Sequence, residues 1–262
     1  MNKITKAATY LMQARLTPRR LLDWSDDTRP ENFIEAYGVQ DLFVERLLAH
    51  YGGRTVGYKI ACTNEAAQRD LHVDGPFSGR LLSEFVYDSP AQLDPDDFFI
   101  RVIEPEYGVE LGQDLPPRST PYSRQEVADA VGAIMPTIEI VDSRFEPWTT
   151  MGAITLIADQ AVHGAWVIGE RVTNWRDFDL ATQEISLWVD GELNQTGSGA
   201  AVLGHPFNSL TWLVNALSDK GEGLKAGDLV TTGICVDKIY YANPGEVIKA
   251  DFGPIGSVTV SF

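Results

Sequence analysis

FFIRVIEPEYGVELG, residues 98–112, decides how the chain is read. It is rich in aromatic and β-branched residues and is bounded by Asp97 and Gly112, so it predicts a strand. TIEIVDS (137–143), EISLWVDGEL (184–193), DLVTTGICV (228–236) and SVTVSF (257–262) have the same character. Strands therefore dominate from about residue 80 onward.

Upstream the pattern changes. Residues 3–16 and 31–50 show helical spacing, and TRPENF supplies a start for the second helix, with Thr28 or Arg29 near the cap and Pro30 in the first turn. TVGYKIA (55–61) reads as a short strand, NEAAQRDL (64–71) as a short helix and VDGPFSG (73–79) as a turn-rich loop. Later helices are expected at SRQEVADAVGAI (123–134) and NSLTWLVNALSDKG (208–221), the second with an apolar face of Leu210, Leu213, Val214 and Leu217. The expected layout is α+β, with a helix-rich N-terminal region over 1–79 and a strand-rich catalytic domain over 80–262.

Composition excludes several functions. The 262 residues carry a net charge of −16, which repels phosphate backbones and anionic lipid, and no Lys/Arg cluster offsets it. Nucleic acid and membrane are not expected partners. The longest apolar runs, such as AITLIA (153–158), fall far short of the roughly 20 residues of a membrane helix. The amphipathic N-terminus does not read as a signal peptide, and two distant cysteines, Cys62 and Cys235, imply no disulfide framework, so a cytoplasmic protein is expected. Phosphate-loop and dinucleotide fingerprints, a GxSxG elbow and zinc-ligand histidine spacing are all missing from the sequence.

The chemistry resides in carboxylates. Glu104 and Glu106, two apart on a strand, share one face, while Val109 and Leu111 turn to the core. Glu139 is framed by Ile138 and Ile140, a setting in which an unpaired acid is costly and calls for a metal, an arginine or a hydrogen-bonded cage. A hard cation such as Mg²⁺ takes a few carboxylates, with water or substrate completing its shell. In a chain with 37 acids, however, an ExE pair also arises by chance on a solvated strand face, and pattern alone leaves both readings open. Glu110 reads as a surface acid and His163 as a core or helix-end histidine. Lys59, inside the apolar GYKIA, is either a tuned proton-transfer group or a lysine snorkelling from a strand edge.

Read in order, VGYKIACTNEAAQ, HVDGPFSGRLL, IEPEYGVELGQDLP, PTIEIVDSRF, IADQAVHGAWVIG, VDGELNQTGSGAAVLGHP, GLKAGDLVTTG and ADFGPIGSVTVSF resemble the fumarylacetoacetate hydrolase superfamily. The resemblance is to its 2-keto-4-pentenoate hydratase and 4-oxalocrotonate decarboxylase branch, and it covers nearly the whole chain. It implies a mixed β-sandwich roll preceded by a smaller helix-rich region, usually as a homo-oligomer, sometimes associated with another pathway enzyme. It also implies Mg²⁺ or Mn²⁺ on Glu104, Glu106 and Glu139, with Lys59 and Asp74 as catalytic residues. Asp159, Gln160 and the loop Thr196, Gly197, Ser198, Gly199 would then stand on the substrate side.

The implied activity is hydration of a 2-hydroxy-2,4-dienoate (2-keto-4-enoate), a small 2-oxo acid of aromatic-compound degradation, through a metal-stabilised enolate. A 2-oxo acid decarboxylase, an acylpyruvate-type hydrolase and a non-catalytic partner subunit are the alternatives. Two segments depart from the branch: Asp159-Gln160 stands where Asp-Asn is common, and TTGICVDKIYYANPGE replaces a shorter Gly/Pro-rich passage.

Overall fold

The computed structural model describes residues 2–17 and 19–262. Two sheets form the body. The larger has eight strands, seven of them in the order Phe77–Leu82, Thr55–Ala61, Leu229–Ile234, Val102–Leu111, Val131–Val141, His163–Ile168 and Val86–Asp88. Its eighth strand, Tyr240–Tyr241, pairs with the start of Val102–Leu111. The smaller sheet runs Ala91–Gln92, Ser257–Ser261, Val247–Asp251, Glu184–Val189, Glu192–Ser198.

The two-residue period of the central strands sorts their side chains between two cores. Ile103, Tyr107, Val109 and Leu111, with Ile138 and Ile140 across the ladder, pack with Ile248, Val258 and Val260 of the smaller sheet and with the Pro206–Ser218 helix. The opposite face carries Val102 and Val141 into a second core built by the N-terminal helices Lys3–Leu16 and Phe33–Tyr51. Glu104, Glu106 and Glu139 have the same parity as that second set. The acids therefore lie on the side of the sheet that the helical region covers, away from the sandwich core.

Three local expectations are revised. The second helix starts at Phe33, the last residue of TRPENF, with Asn32 as its cap in place of Thr28 or Arg29: the Asn32 side chain accepts from Glu35 N at 2.9 Å, and the Glu35 carboxylate accepts from Glu31 N at 2.9 Å. Thr28 instead closes a turn, donating from Oγ1 to Ser25 O. The helix expected over 123–134 ends at Ala130, and Val131–Val141 is one long strand; the β-branched Val131 and Ile134 join the ladder. Finally, Phe77–Gly79, expected in a turn-rich loop, open the strand Phe77–Leu82, which joins the large sheet beside the expected strand Thr55–Ala61. A parallel pairing with Leu229–Ile234, far along the chain, makes Thr55–Ala61 a sheet member, and local patterning is blind to such a partner.

Candidate metal centre and active site

Glu104 and Glu139 stand directly opposite each other in the antiparallel ladder, and Glu106 follows two residues on, opposite Thr137. Each acid offers one oxygen, and these three atoms lie within 4.8 Å of one another. Glu106 and Glu139 are wholly buried, and the Glu104 side chain is 16% exposed. Like charges facing each other across a ladder repel, so this arrangement needs compensating charge.

Lys59 supplies part of it. The parallel pairing of its strand with Leu229–Ile234 puts it opposite Thr231, and its Nζ reaches Glu139 Oε1 at 2.9 Å and Glu104 Oε2 at 3.9 Å. The lysine is 1% exposed, so it is paired inside the protein and does not snorkel. With all three carboxylates ionised, as a bound cation would hold them, the acids and the ammonium leave a net charge of −2, the complement of one divalent cation. Two further observations fit such an ion. Glu106 Oε1 and Glu139 Oε2 are buried without a hydrogen-bond partner among the described residues, and orphaned charged oxygens are expensive unless a ligand uses them. The donor set is also all oxygen, which suits Mg²⁺ or Mn²⁺ better than zinc or copper.

The remaining contacts fix these carboxylates. Gly233 N donates to Glu106 Oε2 at 2.7 Å. Gly233 has φ +112°, and a Cβ there would lie 1.8 Å from Thr63 Oγ1, so only glycine brings this amide to the acid. His163 Nδ1 lies 2.9 Å from Glu139 Oε1; with the proton on Nδ1, the imidazole donates to the carboxylate. Burial pushes the His163 pKa down despite the Glu139 charge, which keeps the ring neutral. Burial, reinforced by the neighbouring acids, raises the Glu106 carboxyl well above its ordinary value and pushes Glu104, next to Lys59, up to about 7. Burial acts in the same direction on Glu139, but Lys59 and then His163 outweigh it and hold that carboxyl low. For Lys59 the acids Glu139, Glu104 and Glu106 together outweigh the burial that opposes its charge, and the amine stays protonated.

Lys59 and Glu104 stand on the wall of a cavity of about 350 Å³ that also takes in Cys62, Thr63, Phe77 and Trp148. A larger cavity of about 710 Å³ lies beyond Phe77, which borders both. Asp74 lines that second space, exposed to solvent, and is not on the wall that carries Lys59.

The residues expected on the substrate side are also placed elsewhere. Asp159 is wholly buried, its carboxylate accepting from Ser143 Oγ (3.1 Å), Arg144 N (3.0 Å) and Arg144 Nε (2.5 Å). Gln160 has φ +57° and donates from Nε2 to Arg80 O. Thr196, Gly197 and Ser198 end a strand of the smaller sheet and Gly199 opens the turn after it; Gly197 bridges Val236. Just before them, Gln195 clasps the Lys238 backbone, donating to its O at 2.7 Å and accepting from its N at 3.2 Å. That loop buttresses the segment 236–239, which does line the cavity. Glu110 is paired with Arg171 at the surface.

Sequence reasoning missed His163 and Gly233 as groups that position the carboxylates. Both depend on strand pairing that local patterning does not show, His163–Ile168 with Glu139's strand and Leu229–Ile234 with Glu106's.

The comparisons agree with this geometry. The family described as fumarylacetoacetate (FAA) hydrolase C-terminal matches residues 95–262. A 2-keto-4-pentenoate hydratase of Paraburkholderia xenovorans is 32% identical over 98% of this chain and 94% of its own length. A 4-oxalocrotonate decarboxylase of Pseudomonas putida is 29% identical over 99% of this chain and 97% of its own. The solved structure of 4-oxalocrotonate decarboxylase from Pseudomonas putida G7, complexed with magnesium and adipate, superposes with a TM-score of 0.90 at 28% identity, covering 99% of this chain and 97% of that one.

Proposed function

The chain belongs to the fumarylacetoacetate hydrolase family, and on that footing we propose that it is a divalent-metal-dependent hydratase of 2-hydroxy-2,4-dienoates. The observation that supports this most is the −2 pocket, in which two orphaned carboxylate oxygens and a buried lysine converge. Glu104, Glu106 and Glu139 would hold Mg²⁺ or Mn²⁺, which would supply Lewis-acid stabilisation of the charge that develops on a 2-oxo acid.

The chain's own residues do the rest. Glu139, gripped by Lys59 and His163, cannot rotate away, and Glu106 is pinned by the Gly233 amide. Lys59 Nζ is the buried proton carrier on the cavity wall: the enol O–H proton leaves as C5 is protonated to give the 2-oxo-3-enoate, and water then adds its hydroxyl at C4 while its other proton passes to C3, Lys59 giving up and regaining one proton in each stage. The apolar surround keeps bulk water from competing. Asp74 joins Lys59 only if the 73–77 segment turns from the larger cavity toward the smaller one. A cytoplasmic homo-oligomer belongs to the same reading; light scattering of the purified chain tests the assembly.

Decarboxylation is the second reading, favoured by the similarity to decarboxylases over the full chain. One experiment separates the two. The protein with Mg²⁺ is given 2-hydroxypenta-2,4-dienoate and, separately, 2-oxohex-3-enedioate, following ultraviolet absorbance, carbon dioxide and the product's proton spectrum. Conversion of the first to a 4-hydroxy-2-oxo acid supports hydration. Stoichiometric carbon dioxide from the second, with the first unchanged, overturns it.

A further inference from the structure

We propose that the hydratase site accepts 2-oxo acids whose tail is apolar and bulky, not dicarboxylates; this rests on the functional reading above and deepens it. The cavity's volume of about 350 Å³ compares with roughly 30 Å³ per water in the liquid, room for about a dozen waters. A five-carbon 2-oxo acid, about eight non-hydrogen atoms, leaves much of it vacant, and an apolar remainder is best filled by apolar substrate.

The wall away from Lys59 and Glu104 fits that tail. Leu71, Phe77, Trp148, Leu156, Val162 and Val236 line it; the first five belong to, or pack against, the buried apolar cluster under the N-terminal helices, and Val236 is itself buried. They come from separate parts of the chain: the end of the short Glu65–Asp70 helix, the Phe77–Leu82 strand, the turn Trp148–Thr150, the helix Gly152–Ala158, the turn Gln160–Val162 and the segment after Leu229–Ile234. Ala66 and Ala67, on the short helix, keep the space open.

Charge argues the same way. Among the described residues only two cations line the cavity, Lys59 and Lys238. Lys59 is already committed to Glu139 and Glu104. Lys238 is exposed to solvent, and the exposed Asp237, of opposite charge, lines the same cavity. A second carboxylate entering the apolar part would shed its water for no buried partner, whereas a methyl, alkyl or aryl end would gain by leaving water.

Saturated 2-oxo acids, which lack the conjugated system that reacts, test this by calorimetric binding to the Mn²⁺-loaded protein. Pyruvate reports the head group, 2-oxohexanoate and 2-oxo-4-phenylbutanoate the apolar tail, and 2-oxoadipate the same six-carbon length ending in a carboxylate. At about 0.8 kcal/mol per buried CH₂, 2-oxohexanoate and 2-oxo-4-phenylbutanoate should bind at least about tenfold tighter than pyruvate. 2-Oxoadipate should bind at least about tenfold more weakly than 2-oxohexanoate. Ala66→Phe, on the exposed side of the short helix, should lower the ratio of 2-oxo-4-phenylbutanoate to pyruvate affinity. Pyruvate binding with no gain from either tail overturns the inference and leaves the functional reading standing. 2-Oxoadipate binding tighter than 2-oxohexanoate, with the advantage lost in Lys238→Met, also overturns it and makes Lys238 a clamp for a dicarboxylate. Failure of pyruvate itself to bind overturns both.

Discussion

Lys59→Met removes the ammonium from the carboxylate pocket and keeps a side chain of similar length. The lysine is 1% exposed and 2.9 Å from the wholly buried Glu139, and removing one partner of a buried pair costs about 3–5 kcal/mol. That is a large part of a domain's usual stability of about 5–15 kcal/mol, so the metal-free variant should melt many degrees below wild type in EDTA. The metal-loaded variant should behave differently. With the carboxylates ionised around the cation, the pocket charge passes from −2 to −3, and two unit charges 4 Å apart interact by about 4 kcal/mol at an effective dielectric of 20. A third of that interaction suffices for a tenfold gain, so Mn²⁺ should bind Lys59→Met at least about tenfold tighter than wild type. Mn²⁺ should also recover most of the lost melting temperature while turnover stays absent. Paired melting curves in EDTA and in Mn²⁺, with a calorimetric titration, measure all three quantities. A variant that melts like wild type in EDTA and binds Mn²⁺ more weakly would refute the idea that Lys59 and the cation balance the same carboxylates.

Other outcomes follow from the same geometry. Glu106→Gln keeps the shape and the acceptor for Gly233 N but removes a charge, and should weaken Mn²⁺ by about tenfold or more, read by the same titration. Gly233→Ala forces a Cβ against Thr63 Oγ1 at φ +112° and should cost at least about 2 kcal/mol in urea unfolding, with loss of Mn²⁺ affinity as Glu106 shifts. The pH dependence has a definite sign. Burial pushes Glu104 up to about 7 from its ordinary 4.5, so the metal-free folded state binds more protons than the unfolded one between those values. Stability of the metal-free protein should therefore fall as pH rises from about 4.5 to 7, and Mn²⁺ affinity should rise over the same window as protons leave the ligands. Melting curves in EDTA that are flat or rise with pH there would contradict the assignment, provided the Glu104→Gln variant shows the same slope.

Much of the centre was legible in the sequence because strand periodicity is short-range: Glu104 and Glu106 on one face, and Glu139 framed by isoleucines, need only a period of two. The family resemblance then selected the metal reading over the solvated-face reading. What stayed hidden depends on distant pairing. Lys59 meets Glu139 only because its strand joins Leu229–Ile234, and Gly233 touches Glu106 only because the same strand runs beside Val102–Leu111. Asp159 shows the reverse error: it lies in a segment that resembles a substrate-side motif, yet its charge is spent on Arg144, a partner that no spacing rule reveals. The fold class was readable for the same reason as the carboxylates, and the helix over 123–134 was overextended because Val131 and Ile134 suit either state until the ladder claims them.

The account stands on one claim, that the Glu104, Glu106 and Glu139 pocket binds the cation on which turnover depends. The most direct measurement titrates Mn²⁺ into EDTA-stripped protein while following both bound metal and hydration of 2-hydroxypenta-2,4-dienoate, for wild type and Glu139→Gln. The account predicts that wild-type turnover rises from zero in step with occupancy and stops at one ion per chain, with neither signal in the variant at the same concentrations. Full turnover in stripped wild type, or one tightly bound ion per chain in Glu139→Gln, would contradict it.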